Sequence, residues 1–208
     1  MRKSQSKKSK SPKPTSRNSS RAALDFFAEA GLLKRVKRSG WWVAGIENPE
    51  SVADHCFRCA VIGFYLAHEE GVDAYRVLAM TIFNDIHEAR INDLHKMGHY
   101  YIDFKQAEKK VFKDQVAELS ARVKRALEDV RTDYDAQQSQ EALVARDADI
   151  LECLVQAKEY LDHGYPVAKK FLRRAPGFLK TATARKLWVE LQNWDSTVWW
   201  ENVVKFER

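Results

Sequence analysis

The stretch TIFNDIHEARINDLHK, residues 81–96, begins as an apolar helix and turns abruptly into Asn84-Asp85, His87-Glu88, Arg90, Asn92-Asp93 and His95. Helical spacing gives those polar residues direction. Upstream, Leu78 and Ile82 run into Asp85 and Ala89 as one stripe, while Val77, Thr81, Asn84 and Glu88 form the adjacent one. Two carboxylates therefore fall at or near the buried face of a helix expected from about Asp73 to His87. A buried, unpaired carboxylate is costly, so it must be neutralised, paired or bound to a metal.

The same arithmetic applied outward finds the partners. NPESVADHCFRCAVIGFYLAHEEG, residues 48–71, predicts a helix with Asn48 as N-cap, Pro49 at its first position and Gly71 as its stop. Its stripe of Val52, Cys59, Ile62 and Leu66 includes His55, which should point inward. Another helix is expected from about Glu141 to Asp162, with Asp149 in line with Ala142, Ala145 and Cys153. A further one, over RAALDFFAEAGLLKRVKR, carries apolar Leu24, Phe27, Ala28 and Leu32 and is broken or bent at Gly31. A long polar amphipathic helix is expected from about Phe104 to Arg131. The C-terminal stretch LKTATARKLWVELQNWDSTVWW continues helical and holds four of the six Trp. The expected fold is all-α.

Composition bounds the rest. A chain of 208 residues, 45% hydrophobic, suffices for one sizeable core. No apolar run reaches the roughly 18 residues of a membrane span, and the N-terminus lacks the apolar segment of a secretory signal, so a cytoplasmic location is expected. Cys56, Cys59 and Cys153 are too few and scattered for a disulfide framework and read as small buried residues. The net charge is +6, but residues 1–21 hold eight of the 35 basic residues and no acidic one, which leaves 27 basic against 29 acidic residues in the body. A Lys/Ser/Pro-rich segment of that kind is expected to be a disordered tail. It either merely solvates the chain or makes weak nucleic-acid contacts by counterion release. The body, 22–208, is expected to be a single domain.

One His and two Asp from three helices make a mixed N/O cage for a divalent transition metal. Such an ion polarises a phosphoryl oxygen and lowers the pKa of a bound water, and Glu88, one turn past Asn84, could act as general acid or base beside it. The residues alone also fit a satisfied core histidine at His55, a helix-end acid at Asp85 and a salt-bridged Asp149. The CFRC pair lies inside a helix with no second pair, and His95 and His99 are separated by Gly98, so neither reads as a zinc site. HEARI lacks the second His of a metalloprotease motif.

NPESVADHCFR, LAMTIFNDIHEARINDLHK, ARDADILECLVQAKEYLDHG and DSTVWW together resemble, in order and spacing, the HD-domain phosphohydrolases, on the branch that includes 5'-deoxynucleotidases. The resemblance covers nearly all of residues 22–200 and implies an HD-type helical bundle acting on nucleoside 5'-monophosphates with a divalent ion, Mn, Co or similar. It implies metal ligands at His55, Asp85 and Asp149, a catalytic Glu88 and a further acid at Asp93. Asp147 is the rival to Asp149. Asn84 stands where the family has the His of its His-Asp pair, and a carboxamide oxygen is a weaker donor than imidazole. Either Asn84, water or His87 completes the metal shell of a weakened enzyme, or the site is a relic that still binds nucleotide. Asn92 replaces a frequent Gly and tolerates positive φ. In KRVKRSGWW, residues 34–42, Arg38 and Trp41 are expected near the phosphate and base, and Arg90 either serves substrate or clamps Glu88 or a helix carbonyl. The family also implies a homodimer, with the 104–131 helix and the Trp-rich end as candidate apolar surfaces.

Overall fold

The computed structural model describes residues 19–173 and 177–203. Among these the chain is helical throughout, with one isolated antiparallel bridge, Lys37 to Ser51, in place of any sheet. Residues 1–18, most of the expected tail, lie outside the described residues. No helix among those described is long and apolar enough to cross a membrane.

Three helices build the centre: α2, Val52–Glu70; α3, Ala74–Phe83; and α8, Gln140–Asp162. They meet along Cys59, Leu66, Val77, Met80, Ala145, Ala148 and Leu151, all buried. The close approach depends on Gly63. A Cβ there would stand 3.0 Å from Val77 Cγ1, 3.2 Å from Thr81 Cγ2 and 3.5 Å from Ala148 Cβ, tighter than side chains normally pack. The C-terminal helix α10, Ala182–Leu191, closes this core on one side, where Ala184 and Leu191 are buried in it. A second apolar cluster joins Phe26 of α1 (Ser19–Ala30), Val52 and Cys56 of α2, Phe112 and Val116 of α6 (Phe104–Val116) and Leu127 of α7 (Ala121–Ala136). Short helices α4, Glu88–Ile91; α5, Lys96–His99; and α9, Lys169–Leu172, fill the connections.

Caps explain where the expected boundaries moved. Helix α2 starts at Val52, not at Pro49, because Ser51 forms a reciprocal capping box with Asp54; its end at Gly71, in the left-handed conformation, is as expected. Helix α3 stops at Phe83, and residues 84–87 form turns before α4 begins. The expected 104–131 helix is two helices. It breaks after Val116, and Ser120 caps α7 through the Val123 N–H. In α1 the expected stripe is turned round. Leu24 and Phe27 are 62% and 64% exposed and Phe26 faces the core, while Gly31 ends the helix and opens a 3-10 turn, Gly31–Lys34. Ile82 is likewise exposed, so α3 buries the Val77 and Thr81 side. Past α10 the chain leaves the helix and regains a single 3-10 turn at Trp199–Asn202.

Candidate metal centre and active site

Helix α2 delivers His55 into the interior, where it is 1% exposed. Its Nε2 lies 3.0 Å from Asp149 Oδ1 on α8 and 3.5 Å from Asp85 Oδ2 in the turn after α3. Its Nδ1 is hydrogen-bonded to Glu152, one turn beyond Asp149. Three elements distant in sequence thus converge on one ring. The side chain of Asp149 stays 31% exposed, so the cluster opens to solvent on that side.

Asp147 is not a competitor. It is fully buried and accepts the backbone N–H groups of Lys180 and Thr181, ahead of α10. Asn84 donates its amide to Asp85 Oδ1 at 2.8 Å, so its side chain steadies a carboxylate of the cluster. Its backbone carbonyl accepts from His87 Nδ1 and from Arg131, each at 3.1 Å. His87 is committed there, with its other nitrogen 3.4 Å from Glu108.

Glu88 and Asp93 line the same cluster. Glu88 is buried and its Oε2 has no hydrogen-bond partner. Burial pushes its carboxyl well above the usual carboxylate range, and the charges of Asp85 and Asp93 add to the effect. Asp93 follows Asn92, whose φ of 61° bends the chain back. It accepts the Ser39 N–H at 3.0 Å, and burial raises its pKa too, against the opposing pull of Arg38. Arg38 sits among these acids, 3.6 Å from Asp85 and 3.7 Å from Asp93, and donates to Cys153 Sγ at 2.9 Å. His55 is held strongly basic. Burial and Arg38 would lower its pKa, yet hydrogen bonds to Asp149 and Glu152 raise it to about 10, and the same contacts carry both carboxylates below their usual range despite burial.

This donor set fits a divalent cation. An imidazole nitrogen from α2, a carboxylate from the turn after α3 and one from α8 converge, and they hold a proton where a cation would serve them better. Glu88, whose Oε2 is buried and unpartnered, feels the charges of Asp85 and Asp93 in the same cluster.

Two expected roles change. Trp41 is 3% exposed, packs on Tyr160 and Phe171, and donates its indole N–H to Glu50 at 2.9 Å. It is a core residue that holds Glu50, because an indole buried among aromatics has no face left for substrate. Arg90 clamps neither Glu88 nor a carbonyl: it reaches Glu29 on α1 at 2.5 and 2.9 Å. The sequence reading passed over Glu152, Arg58 and Glu50. The signal was present for Glu152, a charged residue between Leu151 and Leu154 at three residues from Asp149, the spacing of one helix face.

A model of the HD domain matches residues 30–188. The 5'-deoxynucleotidase HDDC2 of Dictyostelium discoideum is 32% identical over 145 residues, 66% of this chain and 76% of its own length. That of Homo sapiens is 28% identical over 143 residues, 68% of this chain and 70% of its own. Among solved structures, a conserved hypothetical protein from Pyrococcus furiosus superposes with a TM-score of 0.70 at 29% identity, covering 82% of this chain and 99% of that one. With the helical bundle and its buried His-Asp cluster in place, these matches settle the family: the chain belongs to the HD-domain family, on its 5'-deoxynucleotidase-like branch of hydrolases.

Proposed function

We propose that the chain is a metal-dependent phosphohydrolase that releases phosphate from nucleoside or deoxynucleoside 5'-monophosphates. The observation that carries this reading is the convergence of His55, Asp85 and Asp149, with Glu88, Asp93 and Arg38 around them. His55, Asp85 and Asp149 would hold the divalent ion, with Asn84 the weaker fourth position. When bound, such an ion polarises a phosphoryl oxygen and acidifies a water.

The chain's own groups do the rest. Arg38, seated between carboxylates, binds the phosphate by charge-assisted hydrogen bonds. Glu88, a buried carboxyl raised above the usual carboxylate range, receives the proton of the attacking water in its ionised form and returns it to the leaving 5'-oxygen. Asp93, anchored on the Ser39 N–H, keeps Arg38 in place. A specific observation favours a second reading, a catalytically weakened or inactive protein that binds nucleotide or acts as a scaffold: Asn84 offers Asp85 its amide nitrogen and is a poor transition-metal donor.

Phosphate release from a panel of nucleoside 5'-monophosphates with Mn2+ or Co2+, native beside Asn84→His, separates the two readings. Activity in both supports the hydrolase; activity in Asn84→His alone supports the weakened site; silence in both refutes the nucleotidase reading.

The homodimer belongs to the same proposal, and its surface is on α2. Phe57, Val61, Phe64 and Tyr65 are exposed along one face of that helix. Phe57 and Tyr65 lie four residues either side of Val61, so a two-fold axis at Val61 sets Phe57 against the partner's Tyr65. A cytoplasmic setting completes the proposal, with a basic tail that either merely solvates the chain or makes weak nucleic-acid contact.

A further inference from the structure

The imidazole of His55 has two edges with different work. Nε2 faces Asp85 and Asp149, and Nδ1 is hydrogen-bonded to Glu152 Oε2. Glu152 is fully buried. Its other oxygen accepts from Arg58 Nε at 2.9 Å and from a terminal nitrogen at 2.8 Å. Arg58 is held in turn by Glu159 at 2.7 and 2.8 Å and by Gln156 at 2.5 Å. Helix α8 therefore carries an ordered run from a half-exposed rim at Glu159 down to the ring of His55.

Such a run is expensive where it stands. A carboxylate placed between Leu151 and Leu154 in the central helix loses its hydration, and replacing buried ion pairs by apolar groups is often neutral or stabilising. The run also ties α2 to α8, because Arg58 lies on α2 and Glu152, Gln156 and Glu159 lie on α8. A buried imidazole, however, can carry its proton on either nitrogen and can turn over, and only the unprotonated nitrogen can bind a cation.

We propose that Glu152, held by Arg58, is the positioning residue of this site. It fixes the ring plane of His55 and keeps the proton on Nδ1, so that Nε2 is the atom presented to a divalent cation bound with Asp85 and Asp149. The inference rests on the metal-site reading above and assigns Glu152 and Arg58 a place in it.

One rival use of the same atoms fails on charge. His55, Glu152 and Cys153 lie close enough together to hold a cation themselves. But Nδ1 and Glu152 already share a hydrogen bond, and Arg58 occupies the same carboxylate. Arg38 donates to Cys153 Sγ, and burial keeps that thiol protonated. Arg58 thus neutralises the one carboxylate this spot offers, whereas the other edge of the ring faces two, Asp85 and Asp149. The Asp85 and Asp149 edge is the one left for it.

The test is Glu152→Gln in the full chain after chelator treatment. The replacement keeps the shape. With its oxygen on the Arg58 donors it must turn its NH2 toward Nδ1, which drives the ring proton to Nε2, the ligand edge. Two readouts are taken, Mn2+ affinity by calorimetry and the imidazole N–H signals by NMR of the metal-free protein. The expected results are an Mn2+ Kd raised by about tenfold to a hundredfold, loss of the protected Nδ1–H signal, and a native helical circular dichroism spectrum. Arg58→Gln leaves Glu152 in place but unsupported, so a smaller weakening with the Nδ1–H signal retained is expected, and this variant carries the test if Glu152→Gln does not fold. Unchanged Mn2+ affinity in folded Glu152→Gln, or an unchanged Nδ1–H signal, overturns the proposal. A native chain that takes up no Mn2+ yet loses its Nδ1–H signal in Glu152→Gln refutes the metal reading and upholds the orientation of the ring by Glu152.

Discussion

Glu88 and Glu152 are both buried glutamates within a short reach of the cluster, and their surroundings give them opposite characters. Glu152 has a guanidinium and an imidazole on its two oxygens and is held ionised. Glu88 has one oxygen with no partner, stands among Asp85 and Asp93, and holds its proton far above the usual range. Divergent pKa values in one site separate roles, in the proposed mechanism an anchor and a proton carrier. Glu88→Gln can neither take nor give a proton, so kcat for phosphate release should fall by about 10²- to 10⁴-fold with the helical spectrum unchanged; a variant with native kcat would remove Glu88 from the chemistry. At this scale the ring of acids was legible in the sequence, because His55, Asp85, Glu88 and Asp149 each interrupt an apolar stripe. Trp41 was not. Its side chain is recruited by Tyr160 and Phe171, more than a hundred residues away, and no local pattern reports that.

Among the elements, α8 was readable to within a residue at both ends and α2 at its C-terminus, where Gly71 stops it, whereas the start of α2 was placed too early because Ser51, not Asn48, is its cap. The break between α6 and α7 went unread. Residues 117–120 contain neither Gly nor Pro, and Ser120 stops the helix only because its hydroxyl finds the Val123 N–H. The reversed face of α1 has a similar origin, since Leu24, Phe26 and Phe27 offer two apolar faces and the partner helices choose between them. The exposed face of α2 gives this scale its prediction. Val61→Arg places two like charges across the proposed two-fold axis, so light scattering on the size-exclusion column should show a dimer for the native chain and a monomer for the variant. A monomeric native chain, or a dimeric Val61→Arg, would remove α2 as the contact.

Across the whole molecule the cluster's charges make stability depend on pH. Glu50, against Trp41 and near Arg58, has its carboxyl pushed up to about 7, by burial first and by the charge of Glu152 second. In the unfolded chain it releases its proton near 4.5. Between those two values the folded state holds a proton that the unfolded state has lost, so raising the pH favours unfolding. The contribution of Glu50 is fully present below pH 4.5 and is lost as pH rises through about 7. Glu50→Gln keeps an acceptor for Trp41 and removes the titration, so its Tm should fall less than that of the native chain between pH 5 and 7.5; parallel curves would contradict this. The central claim, a divalent-ion phosphohydrolase built on His55, Asp85 and Asp149, is tested most directly by inorganic phosphate released from a deoxynucleoside 5'-monophosphate when Mn2+ or Co2+ is added to chelator-treated protein, native beside Asp149→Ala. The account predicts release that needs the ion and disappears in Asp149→Ala. Release that ignores the ion, or that survives undiminished in Asp149→Ala, would contradict it.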